Sequence, residues 1–125
     1  MKNLTIILLL FIACFSINSN AAQLRCGWVL NPTPSNLWLH DRDGTWTIAL
    51  MGENLEEKPS LYMAYQAFED RKQVENTNGI YGHSCACIKV DVNKESKRIL
   101  KIYAVNQLNL KQCQDDNAIS NYVLD

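Results

Sequence analysis

The residues with the most chemical potential are Cys85-Ala86-Cys87, with His83 two places upstream and His40 elsewhere in the chain. A thiolate beside an imidazole is a nucleophile-and-base pair, and thiolates with a histidine are also soft-metal ligands. The Cys-x-Cys spacing fits no common zinc site, so the residues indicate no metal or cofactor. A second cluster is Asp41-Arg42-Asp43-Gly44. It looks like the first third of a calcium loop, but the twelfth position is Gly52 where the loop needs an acid. Its simpler reading is a turn in which Asp side chains accept from nearby amides. Trp28, Trp38 and Trp46, with Tyr81, make a third group, either an aromatic platform for a glycan or protein partner or a tryptophan-rich core. The remaining acids are scattered in polar loops, so no catalytic pair of carboxylates stands out and no catalytic residue is assigned.

Compartment decides between these chemistries for the thiols. Lys2, the apolar run Leu4 to Phe15 and the small-residue stretch ending at Ser19-Asn20-Ala21 have the three-part pattern of a secretory signal peptide. The apolar run is too short for a membrane span. The expected organisation is a leader over residues 1–21 and one domain over 22–125, periplasmic or secreted. A lipid anchor on Cys14, after Phe11-Ile12-Ala13, is the alternative. Loss of Cys14 with the leader leaves Cys26, Cys85, Cys87 and Cys113, an even set that in an oxidising compartment points to two disulfides. If Cys85 and Cys87 do not pair together, the bonds are 26–85 with 87–113, or 26–87 with 85–113. The spacing leaves both open.

The elements that must position these residues read as mainly β. Composition is that of an ordinary single globular domain: 125 residues, 47% hydrophobic, 20% charged, formal net charge −1. That balance gives no reason to expect nucleic acid as a partner. Asn31-Pro32-Thr33-Pro34-Ser35-Asn36 reads as a stiff loop, since each proline fixes φ and removes a donor. Residues 37–50 read as a hairpin turning near Asp43-Gly44. Leu61, Ala64, Tyr65 and Phe68 recur at helical spacing after Pro59 and favour a short helix, while Leu61, Met63, Tyr65 and Ala67 also alternate as a strand would. Asn78-Gly79 predicts a second tight turn into a strand over 80–92. There Ala86, Ile88, Val90 and Val92 form an apolar face, and Tyr81, His83, Cys85 and Cys87 lie on the other. A polar loop at 93–97 leads to a strand over 99–105, then an irregular tail pinned by Cys113. The fold class is a small antiparallel, hairpin-built sheet or barrel-like domain with room for one short helix and two disulfides.

Cys26-Gly27-Trp28, Asn31-Pro32-Thr33-Pro34, Asn36, Trp38-Leu39, Asp41-Arg42-Asp43-Gly44 and Trp46 form one run of motif. Thr77-Asn78-Gly79, Tyr81-Gly82, Cys85-Ala86-Cys87, Arg98-Ile99-Leu100 and Cys113 form another. Together they resemble a bacterial family of exported proteins known as domain of unknown function 4087. Two places depart from its pattern: Glu53 to Val74, and His83-Ser84, which stands where an aromatic residue and a glycine are expected. The resemblance implies a small exported four-cysteine domain and no particular activity.

The expected function is a non-enzymatic binding domain of the envelope or exterior, of inhibitor or immunity type. Its partner would be a protein or a glycan, met through Trp28, Trp38, Asp41, Arg42, Asp43, Trp46 and Tyr81. A cell-wall-directed enzyme using an acid such as Asp41 or Asp43, and a structural envelope protein, are the alternatives.

Overall fold

A computed structural model describes residues 22–54 and 60–119. The leader, Cys14 and Pro59 lie outside the described residues. Six strands form one sheet: β1 (Gln23–Thr33), β2 (Asn36–Asp41), β3 (Gly44–Ala49), β4 (Val74–Asn78), β5 (Tyr81–Asn93) and β6 (Arg98–Leu108). Two short helices, α1 (Ser60–Ala64) and α2 (Leu110–Gln114), and 3₁₀ turns at Tyr65–Phe68 and Arg71–Gln73 complete the description.

The strands run β1-β2-β3-β6-β5, and β5 pairs back onto β1, so five of them close a ring. Four of its five seams are antiparallel. The seam between β3 and β6 is parallel and has a single register pair, Thr47 with Arg98, where Thr47 N–H donates to the Lys97 carbonyl at 2.8 Å. The sheet is thus mixed where hairpin logic expects it to be purely antiparallel. Two hairpins whose outer strands meet edge to edge leave that seam no tight turn to set its direction. The thinly paired stretch is covered by α1, whose Ser60 Oγ accepts from the Ile102 amide at 3.0 Å.

Strand alternation divides the apolar residues between two cores. Inside the ring lie Val29, Leu37, Leu39, Trp46, Ile48, Ala86, Ile88, Val90, Ile99 and Ile102. Leu61, Ala64, Ala67 and Phe68 complete that core from α1 and the following 3₁₀ turn. The helical reading of this segment holds, because burial recurs every three to four residues rather than every two. Outside the ring, Trp28, Cys85, Cys113 and Ile119 form a smaller cluster edged by Leu30, Leu108 and Leu110. Residues 82–86 of β5 are therefore buried on both faces, and alternation with solvent resumes beyond them.

The turns differ in detail from their sequence signals. The Pro-rich segment belongs largely to strands: β1 runs through Pro32 to Thr33, and Pro34-Ser35 alone make the turn. Proline at the first central position and Ser35 at φ +62° follow the type II pattern. The β2–β3 turn is Arg42-Asp43, with Asp41 paired to Gly44. The β4–β5 turn is Gly79-Ile80, with Asn78 paired to Tyr81. One glycine with positive φ at the first central position suffices for such a turn, so Asn78 stays in the strand.

Two disulfides hold the structure: Cys26–Cys87 and Cys85–Cys113. Cys26 and Cys87 are direct cross-strand partners on β1 and β5, which resolves the two open pairings. The chain-entropy model assigns closures of 61 and 28 residues about 4 and about 3.5 kcal/mol.

Candidate functional site

The Asp41 end of the ring is a polar plug, with a cleft of about 240 Å³ beside it bounded by Arg25, Asp41, Arg42, Asp43, Asp116 and Ile119. Asp41 is 4% exposed. Its Oδ1 accepts from the Trp46 indole Nε1 at 3.0 Å and from the Asp43 amide at 2.9 Å, and its Oδ2 accepts from Arg25 at 2.9 Å. The same Arg25 nitrogen donates to Asp43 Oδ2 at 2.9 Å, and its Nε and second terminal nitrogen donate to Gln23 Oε1 at 3.1 and 2.8 Å. The guanidinium lies 4.0 Å from the Trp46 ring centroid and the Lys97 ammonium 4.3 Å from it, both within cation–π range. Burial disfavours the charge on Arg25, yet the bonds to Asp41 and Asp43 outweigh it and raise its pKa. Asp43 is held below the ordinary carboxylate range, chiefly by the bond from Arg25. Asp41 is buried and already accepts three N–H donors. This cluster welds the hairpin tip to β1. Arg25, which carried no sequence signal of its own, is its centre, and Arg42 points to solvent.

The cysteine face is structural as well. Both Cys85 and Cys87 are consumed in disulfides, so neither offers a thiol. Trp28 is fully buried and meets the His83 ring edge-on at 5.1 Å between centroids. The His83 Nε2 and the Trp28 Nε1 have no hydrogen-bond partner among the described residues. Burial pushes the His83 pKa down, partly offset by Glu75. His40 Nδ1 is engaged with Thr45 Oγ1 at 2.9 Å.

The opposite end of the ring carries a second, more apolar cleft. The Pro34-Ser35 turn and the Gly79-Ile80 turn lie side by side, linked by Asn78 Nδ2 donating to the Pro32 carbonyl at 3.4 Å. Between them and the 3₁₀ turns is a cleft of about 260 Å³, lined by Pro34, Tyr65, Phe68, Arg71, Ile80 and Tyr81 among others. Ile80 is 71% exposed. The guanidinium of Arg71 donates to Asn76 Oδ1 at 2.9 Å and to the Ile80 carbonyl at 2.7 Å, which fixes the turn over the cleft.

A family model described as "Protein of unknown function (DUF4087)" matches residues 20–120. The chain belongs to this family. No curated protein and no solved structure matches it. The resemblance carried by the Cys-Gly-Trp, Asp-Arg-Asp-Gly and Cys-Ala-Cys motifs is therefore real, and the DUF4087 match itself brings no activity.

Of the seven residues expected to share one binding surface, the structure brings Asp41, Asp43 and Trp46 together, but in the plug. Trp28 and Trp46 are 0% and 1% exposed, so they are core residues and form no open aromatic platform. The reason is area: each ring is among the largest apolar surfaces a small domain has to bury. Trp38 and Trp46 are not directly opposed either, since Leu39 faces Trp46 and Trp38 faces Thr47. Trp38 is half-buried on the outer face, and Arg42 and Asp43 are exposed. Tyr81 sits at the far end, in the open cleft. Arg71 and Ile80 carry no sequence signal, and Phe68 reads only as part of a helix face, because the three come together only through the turn geometry.

Proposed function

We propose that this chain is a non-enzymatic binding domain of the cell envelope or exterior, acting by surface complementarity on another protein, as an inhibitor or immunity protein does. One observation carries the reading: an exposed aliphatic side chain, Ile80, stands over a ready-made cleft at the tip of a pinned turn. Isolated apolar side chains on a surface are common. One held beside Tyr81, Phe68 and Pro34 on a rigid frame has the form of an interface anchor. A protein partner suits this end better than a glycan, because two of the three tryptophans that a stacking platform would use are buried. Location outside the cytoplasm is supported by two disulfides and by the leader pattern, and among the described residues no helix is long and apolar enough to cross a membrane. The test is capture: the full chain, produced with its own leader, is immobilised against the envelope and exported fractions of its producing cells. A partner retained by the native protein and lost on Ile80→Asp supports the reading. Identical retention by both proteins counts against this cleft, and no retention by either counts against a binding role.

A further inference from the structure

We infer that the cleft between the two turns takes an apolar side chain with a carboxylate beside it, supplied by an acidic segment of the partner protein. The inference rests on the binding-domain reading and specifies its ligand. The cleft, at about 260 Å³, lies below the usual range of about 300–1,000 Å³ for small-molecule sites, so it has room for a side chain rather than a cofactor. Its walls are mainly apolar: Phe68 is 7% exposed at the base, with Tyr65, Tyr81 and Pro34 around it.

Arg71 is the single charged residue in that lining. Its two hydrogen bonds go to neutral acceptors, the Asn76 amide oxygen and the Ile80 carbonyl, and it forms no ion pair among the described residues. The contrast with Arg25 is direct, since Arg25 is neutralised by two carboxylates. Asp70 and Gln107 hold the adjoining chain: Asp70 Oδ1 accepts from the Lys72 amide, and the Gln107 side chain donates to the Asp70 carbonyl at 3.0 Å and accepts from the Asp70 amide at 2.8 Å. Arg71 is thus an oriented, charged and uncompensated guanidinium on a fixed base. A planar fork of this kind matches a carboxylate and loses less side-chain freedom on binding than a loose lysine would. Charge complementarity then sets the ligand: the apolar group fills the cleft and the acid meets Arg71.

The experiment is an NMR titration of the ¹⁵N-labelled full chain, as processed by its producing cells, with two probes. These are acetyl-Gly-Phe-Glu-Gly-amide and its Gln counterpart. The expected result is saturable shifts at Phe68, Arg71, Ile80 and Tyr81, with the Glu peptide binding about three- to tenfold more tightly than the Gln peptide. The preference should shrink in 0.5 M salt, vanish in Arg71→Gln and persist in Arg71→Lys. Equal affinity for the two peptides, or a preference that survives Arg71→Gln, overturns the inference and leaves the binding-domain reading standing. Absence of shifts with both peptides also overturns it. The broader reading falls by a different result, a capture experiment in which neither the native protein nor Ile80→Asp retains a partner.

Discussion

Asp41 shows how a motif that looks chemical can be spent on architecture. Its carboxylate is the shared acceptor for an indole, a turn amide and a guanidinium, all at hydrogen-bond distance. Removing it strips the buried Trp46 indole and the Asp43 amide of their acceptor and leaves Arg25 with Asp43 alone. Asp41→Ala is therefore expected to cost about 3 kcal/mol or more in urea unfolding, with Asp41→Asn closer to the native protein because it keeps an acceptor for Trp46. Acrylamide quenching of Trp46 should rise in parallel. His83 supplies a pH dependence of definite sign. Its folded pKa lies below the ordinary imidazole value of about 6.5, so the unfolded chain binds the proton more readily. Its contribution is complete above about pH 6.5 and is lost as pH falls through the folded pKa. Melting temperature followed from pH 8 to pH 5 should decline more steeply for the native protein than for His83→Gln. Parallel curves would show that the imbalance lies elsewhere.

At the scale of elements, what could be read from the sequence depended on whether the controlling force was local. The hairpins, the inward apolar face of β5 and the helix at Leu61 follow from periodicity and turn chemistry, which neighbours along the chain determine. The ring closure, the parallel seam and the cleft do not, because they arise where distant segments meet. The same holds for the candidate site: Tyr81 was legible as an aromatic beside a turn, whereas Arg71 and Ile80 acquire meaning only once Asn78 bonds to Pro32. Gly82 is the hinge between these levels. A Cβ there would sit 1.8 Å from the Glu75 carbonyl oxygen, across the β4–β5 pair. Gly82→Ala is expected to push β4 away, at about 1–3 kcal/mol. Amide exchange should report lost protection over residues 74–78, and ligand binding in the cleft should fall with it because the Gly79-Ile80 turn loses one of its two strands.

The whole molecule is a ring with a second, external core strapped to it, and its two disulfides differ in access. Cys85 and Cys113 are 1% and 2% exposed, whereas Cys26 is open to solvent and Cys87 is half-buried. Limited reduction followed by alkylation and peptide mapping should label Cys26 and Cys87 first, because exchange needs an approaching thiolate. The interlaced pairing also bears on the history of the chain. If it leaves the cell from its N terminus, Cys26 meets Cys85 before Cys87 has emerged. The bond it could form then is the wrong one. That mistake displaces β1 against β5 by two residues, which preserves the inward and outward faces, so the hydrophobic pattern penalises it little. The native bond must then await Cys87 or be reached by exchange, and Cys113, last of the four to emerge, completes the set. Maturation should accordingly depend on disulfide isomerisation as well as oxidation. A pulse-chase in cells lacking an isomerase should accumulate a 26–85 species, and prompt formation of 26–87 there would argue that β5 pairs only after it has emerged whole.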